Sequence, residues 1–141
     1  MPLKFKKQLC TGCRLCELAC SASHFGEFAP TRSRIHVTNH PLEGRSEVIA
    51  CFSCPDAPCI AACPQAAISR PAPRQPLSID PEKCDGCGGD PACVLTCPYG
   101  AMQFDVMTQV ALACDLCGGD PQCVRYCQPG AVSFSPLPEK V

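Results

Sequence analysis

Apolar residues in this chain form short segments separated by polar and cysteine-rich stretches. Segments 66–69, 77–79, 101–104, 109–112 and 131–134 have the composition of strands in small hairpins. A longer hairpin is predicted from alternating residues over 34–38 and a return strand over 47–51, around the turn residues Glu43-Gly44. No segment approaches the length needed to span a bilayer. The pattern therefore predicts a small fold of short hairpins without a membrane segment.

The stretches between these strands contain all 16 cysteines, in four runs. Each run opens with a Cys-x-x-Cys pair and closes with a Cys-x-x-x-Cys pair, and only the middle gap varies. The runs are Cys10, Cys13, Cys16, Cys20; Cys51, Cys54, Cys59, Cys63; Cys84, Cys87, Cys93, Cys97; and Cys114, Cys117, Cys123, Cys127.

The third and fourth runs are close copies, which indicates internal duplication. Both read Cys-Asp-x-Cys-Gly-Gly-Asp-Pro-x-Cys-Val, from Cys84 and from Cys114. In each copy an aspartate precedes a proline, at Asp90-Pro91 and Asp120-Pro121. This order predicts an acidic N-cap before a proline at the first helical position, so a short helix should carry the last two cysteines of each run.

Composition makes the cysteines the main candidates for holding the fold together. The chain has 141 residues, 16 Cys, 16 Pro and no Trp. Apolar burial alone would leave such a chain marginal, and small domains in that position rely on metals or disulfides. No apolar signal segment follows the lysine-rich start, so we expect a cytoplasmic protein with reduced thiols. A net charge of −1 does not favour nucleic-acid binding.

The spacing of the cysteines is typical of [4Fe-4S] clusters. Each cubane needs four thiolates, and bacterial ferredoxins use a C-x2-C-x2-C-x3-C run whose fourth cysteine binds the other cluster of a pair. The first run has that spacing in full. Structural zinc or disulfides are the alternatives, but neither requires the closing three-residue gap in four repeats. We therefore expect four [4Fe-4S] clusters bound by the 16 cysteines and no catalytic residues.

Other polar residues have weaker interpretations. His24, His36 and His40 are expected to have surface or packing roles, because 16 thiolates already complete four sites. Positive charge inside a run would favour the reduced cluster, and the aspartates Asp85 and Asp115 would oppose it.

The four runs together resemble the polyferredoxin subunits of molybdenum and tungsten pterin oxidoreductases over nearly the whole chain. The stretch Cys-Asp-Leu-Cys-Gly-Gly-Asp-Pro from Cys114 carries much of this resemblance. The segment from Cys10 to Cys20, followed by Arg-Ser-Arg-Ile from Arg32, is most similar to the small subunit accompanying tungsten aldehyde oxidoreductases.

This resemblance implies an α+β fold made of a nested pair of bacterial dicluster ferredoxin-like units in one domain, residues 1–141. One unit would combine roughly residues 1–35 with 100–141, and the other would comprise roughly 47–99. It also implies four ligand sets, each with one cysteine from another run. These sets are Cys10, Cys13, Cys16 with Cys127; Cys114, Cys117, Cys123 with Cys20; Cys51, Cys54, Cys59 with Cys97; and Cys84, Cys87, Cys93 with Cys63. Spacing alone leaves a sequential arrangement open, in which Cys20 serves the second run.

The implied function is non-catalytic electron relay for a large catalytic subunit containing pterin-bound tungsten or molybdenum. A flavin subunit or a ferredoxin would exchange electrons at the other end, and copies of the chain would join into a longer wire. The first-run cluster, beside Lys4, Lys6, Lys7 and Arg14, would lie nearest the partner's cofactor. Carbon monoxide dehydrogenase, hydrogenase, formate dehydrogenase or an aromatic-ring reductase are the alternative partners.

Overall fold

The computed structural model describes residues 3–51, 54, 56–72 and 75–134. Within these residues the helices are α1 (Leu15–Phe25), α2 (Pro58–Ala62), α3 (Ala92–Thr96) and α4 (Gln122–Tyr126). The strands are β1 (Leu3–Phe5), β2 (Ile35–His40), β3 (Arg45–Ala50), β4 (Ile68–Ser69), β5 (Ser78–Ile79), β6 (Gln103–Asp105), β7 (Val110–Leu112) and β8 (Val132–Phe134). Short 3-10 helices span Lys7–Leu9, Pro30–Arg32, Gly86–Gly89 and Leu116–Gly119. The α+β class is confirmed.

The strands pair as four separate antiparallel ladders. The pairs are β1 with β8, β2 with β3, β4 with β5, and β6 with β7. Three predicted hairpins, β2 with β3, β4 with β5 and β6 with β7, are confirmed with bounds shifted by one to two residues. Segment 131–134 is a strand as predicted, but it pairs with β1 and forms no hairpin. In the longest, Val37 lies opposite Val48 and both are buried, as the alternation predicts. The pairing of β1 with β8 joins the two ends of the described chain.

The helices pack in two pairs. α1 packs against α4, and α2 packs against α3. α1 ends at Gly26, which has a φ of 71° and whose N–H donates to the carbonyl of Ala22. The other three helices are only five residues long, so tertiary packing must stabilise them.

Each short helix begins at or just after a proline, but the predicted aspartate caps are wrong. Pro91 and Pro121 are themselves the N-caps, with extended ψ angles of 119° and 118°, so the helices begin one residue later than predicted. Asp90 and Asp120 therefore stand before the cap, too far along the chain to accept from the helix N–H groups. The side chain of Asp120 instead accepts from Arg125 Nη2 at 2.9 Å.

Two hydrophobic cores contain most of the cysteines. The first core combines β1, β2, β3 and β8 with cysteines of the first and fourth runs. The second combines β4, Leu77 and the region around β6 and β7 with cysteines of the second and third runs. The first core therefore joins the two cysteine runs that are farthest apart along the chain. The second core joins two consecutive runs.

No helix among the described residues is both long and apolar enough to cross a membrane.

Candidate metal centre

All 16 cysteines lie among the described residues and carry free thiols. The short helices place them, since Cys59, Cys93 and Cys123 lie in the first turn of α2, α3 and α4. Each of these helices ends at the last cysteine of its run, which follows the helix as its C-cap. In the first run Cys16 and Cys20 both lie on α1, one turn apart. The short helices predicted for the third and fourth runs are present, but only Cys93 and Cys123 lie on them, because Cys97 and Cys127 follow the helices as extended C-caps.

Thiols of the first and fourth runs approach one another. Burial raises the pKa of Cys16 to about 12, with further contributions from Glu17 and from the thiols of Cys127 and Cys10. Burial and the neighbouring Cys114, Cys20 and Cys117 raise the pKa of Cys123. Burial also raises the pKa of Cys114 to about 12, again with Cys20 among its neighbours.

Thiols of the second and third runs form similar groups. Burial raises the pKa of Cys59 to about 11, with Cys51 and Cys54 adding to the effect. A cavity is lined by Cys51, Cys54 and Cys59 together with Cys97 of the third run.

A cysteine of the second run also lies near the thiols of the third run. Burial raises the pKa of Cys93 to about 11, and its neighbouring thiols are Cys84, Cys63 and Cys87. Most of these neighbours are members of the sets that the resemblance implies, but Cys16 also raises the pKa of Cys123, and Cys51 that of Cys114. The assignment of ligands stays a prediction.

Backbone N–H groups donate to the sulfurs of three closing cysteines. The donors are Arg34 to Cys20 at 3.2 Å, Ala67 to Cys63 at 3.4 Å and Ala101 to Cys97 at 3.4 Å. Such bonds stabilise thiolates, which is the form that binds metal. The donor set therefore suits a thiolate-bound metal cluster. At neutral pH a thiol with a pKa near 12 holds its proton, so a bound metal has to displace it.

The first aspartates of the duplicated motif shape the cysteine loops. Asp85 and Asp115 each accept a hydrogen bond from a backbone N–H two residues later, at Cys87 and Cys117, at 2.9 Å. These cysteines have φ angles of 50°, a left-handed conformation that the bond helps to hold. The aspartates thus have a structural role beyond the electrostatic one expected from the sequence.

Sequence reasoning missed the environment of Cys20. His24 lies one turn further along α1, with Nδ1 3.7 Å from Cys20 Sγ and Nε2 3.0 Å from Asp115 Oδ1. Burial raises the pKa of Cys20, but hydrogen bonds from His24, Arg34 and Ser33 outweigh it and lower that pKa. The four-residue spacing of Cys20 and His24 on a helix was the available signal.

Comparison with known proteins identifies the family. The 4Fe-4S dicluster domain family matches residues 47–137, more than half of the chain. The polyferredoxin-like subunit of aliphatic sulfonate oxidoreductase from Pyrococcus furiosus is 44% identical over 89 residues, covering 63% of this chain and 49% of that protein. The formate dehydrogenase iron-sulfur subunit from Wolinella succinogenes is 38% identical over 97 residues, covering 67% of this chain and 46% of that protein. The chain thus spans about half the length of these relatives.

A solved structure has the same fold. It is a chain of the active site complex BamBC of benzoyl coenzyme A reductase in complex with benzoyl-CoA, with a TM-score of 0.55 and 25% identity. The match covers 94% of this chain and 77% of that chain. The chain therefore belongs to the 4Fe-4S dicluster domain family.

Proposed function

We propose that this chain is a non-catalytic electron-transfer subunit that binds four [4Fe-4S] clusters. The four cysteine runs carry the proposal, because they supply the 16 thiols that four cubanes require, and buried thiols of different runs raise one another's pKa. When bound, the clusters supply reversible one-electron redox chemistry. Four thiolates leave no open metal position for a substrate, which argues against catalysis at these sites.

We assign the ligands to the nested sets. They are Cys10, Cys13, Cys16, Cys127; Cys114, Cys117, Cys123, Cys20; Cys51, Cys54, Cys59, Cys97; and Cys84, Cys87, Cys93, Cys63. The pairing of β1 with β8 and the packing of α1 on α4 support the first two sets. The packing of α2 on α3 supports the other two.

We propose an order of the sets along the relay from two thiols whose pKa is raised by a thiol of another set. Cys123 has Cys16 of the first-run set among its neighbours, in addition to its own set. Cys114 likewise has Cys51 of the second-run set among its neighbours. These neighbours support a linear order of first-run, fourth-run, second-run and third-run clusters.

The partner we propose is a large catalytic oxidoreductase subunit with a pterin-bound tungsten or molybdenum. The names of the Pyrococcus and Wolinella relatives, both subunits of oxidoreductases, support a catalytic partner. The likeness to a chain of BamBC favours an aromatic-ring reductase as the second candidate. Purifying the native complex and identifying the metal of the co-purified large subunit separates tungsten or molybdenum from other partners.

The first-run end is the proposed docking end. Cys13 is the one exposed cysteine of the 16, so the first-run cluster would approach the surface there. Lys4, Lys6 and Arg14 are also exposed and would favour an acidic partner surface. A flavin subunit, a ferredoxin or a second copy of the chain would then exchange electrons at the third-run end. Cross-links from the catalytic partner that map only to the segment around residues 71–76 would contradict this docking.

We also propose that the protein works in the cytoplasm. Its 16 cysteines must stay reduced until they are bound, and the cytosol keeps thiols reduced.

Metal analysis of the anaerobically purified chain tests the proposal. Four cubanes predict about 16 iron atoms and about 16 acid-labile sulfides per chain. A preparation dominated by zinc, or one without labile sulfide, would reject iron–sulfur electron transfer in favour of a structural protein.

A further inference from the structure

A polar network meets the sulfur of Cys20 at the boundary between the first and fourth runs. The backbone N–H of Arg34 donates to Cys20 Sγ at 3.2 Å, and the guanidinium of Arg34 lies 3.1 Å from Asp115 Oδ2. His24 Nε2 lies 3.0 Å from the other carboxylate oxygen, Oδ1. His24 Nδ1 lies 2.8 Å from the carbonyl oxygen of Cys20. A guanidinium and an imidazole thus face the aspartate that adjoins Cys114.

The duplicated third run provides an internal comparison. Asp85 occupies the position of Asp115 and bonds its own loop in the same way, at 2.9 Å from the Cys87 nitrogen. Its side-chain neighbour, however, is the neutral amide of Gln65, at 3.2 Å, and Asp85 is exposed. Two loops of nearly the same sequence therefore differ in the charge that faces their aspartate.

This difference bears on how easily each set of thiolates accepts an electron. Reduction adds one negative charge, so nearby positive charge and N–H donors to sulfur favour the reduced state. The guanidinium of Arg34 is a positive charge that is only 21% exposed, so water screens it weakly. Asp85, in contrast, presents its negative charge to the third run without a described cationic neighbour.

We propose that Arg34 and His24 are positioning residues that make the fourth-run cluster easier to reduce than the third-run cluster. They act through Cys20 and Asp115 and touch no substrate. The inference rests on the proposed function, because it requires the nested set Cys114, Cys117, Cys123 and Cys20. The step is the gain of one electron from a one-electron donor, with no bond formed or broken and no proton transferred. The second cluster of the relay would then hold an electron more firmly than the last.

Redox titration of the iron-loaded full-length chain tests the inference. Dithionite is the reductant, and electron paramagnetic resonance (EPR) follows each cluster. Arg34→Met removes the charge but keeps the backbone N–H that bonds Cys20. We expect it to lower the equilibrium constant for reduction of one cluster about tenfold, a shift of about 59 mV to more negative potential. His24→Leu should shift the same cluster in the same direction.

Three controls make the result specific. Arg34→Lys should keep the midpoint potential near that of the unmodified chain, because the positive charge stays. If Arg34 had only a structural role, Arg34→Lys and Arg34→Met would not differ in midpoint potential in this way. Gln65→Leu, beside Asp85, should leave all midpoints unchanged. Cys117→Ser should alter the EPR signal of the component that Arg34→Met shifts.

Each contrary outcome has a separate meaning. Unchanged midpoints in Arg34→Met and His24→Leu, with full iron content, would overturn the inference and leave the proposed function intact. An altered signal of the shifting component in Cys87→Ser, in place of Cys117→Ser, would also overturn it. Iron content far below about 16 per chain in the unmodified protein would instead reject the proposed function.

Discussion

Glu17 offers a sharp test of how the first cysteine run is held in the fold. Its side chain is 1% exposed, and its Oε1 accepts the backbone N–H of Val37 at 2.6 Å. The second oxygen, Oε2, lies 3.2 Å from Arg14 Nη1. Because Val37 is buried, Glu17→Ala would leave this N–H without a partner inside the protein.

The expected loss in Glu17→Ala is the cost of one buried unsatisfied donor, about 1–3 kcal/mol. If this bond breaks before the unfolding transition state, unfolding should accelerate about 5 to 160 times. The assay is the loss of visible cluster absorbance in guanidinium, measured under anaerobic conditions on the iron-loaded chain. Glu17→Gln keeps an oxygen that accepts from the Val37 N–H, so its unfolding rate should lie between those of Glu17→Ala and the unmodified chain.

Two results would refute this reasoning about Glu17. The first is an unfolding rate for Glu17→Ala equal to that of the unmodified chain. The second is a Glu17→Gln variant that unfolds as fast as Glu17→Ala, since an amide oxygen is still able to accept the bond.

Further predictions concern the third-run loop and the metal. Gly86→Ala should destabilise the chain more than Gly88→Ala. Both glycines have a positive φ, a conformation that costs an alanine about 1–2 kcal/mol. A Cβ at Gly86 would also lie 2.9 Å from the Gln109 carbonyl oxygen. A Cβ at Gly88 would have no atom within 4 Å. Equal unfolding rates of the two variants would contradict the close approach. Removing iron with a chelator should unfold the chain, as measured by circular dichroism; a cooperative thermal transition in the iron-free chain would refute this.

Local sequence patterns predicted the helices and strands whose formation depends on residues within the same segment. The alternation around Val37 and Val48 gave the longest hairpin, because one face of that hairpin is buried. The Asp-Pro order predicted the helices at Cys93 and Cys123. The N-caps predicted from that order were wrong, because Pro91 and Pro121 take extended angles that the order does not specify.

The network at Cys20 depends on contacts across the fold and so escaped prediction. His24 and Asp115 are 91 positions apart, and only the packing of α1 against the fourth-run region brings them together. The pairing of β1 with β8 has the same origin, since β1 is a three-residue strand with no local partner. Such contacts are fixed by the tertiary arrangement, which a periodic pattern along one segment does not encode.

The central claim is that the cysteine runs share clusters in a nested order. A crystal structure of the iron-loaded chain, with anomalous scattering measured at the iron edge, tests it most directly. The account predicts four iron clusters, with Cys20 Sγ bound to the cluster that Cys114, Cys117 and Cys123 hold. Binding of Cys20 to the cluster held by Cys51, Cys54 and Cys59 would contradict it.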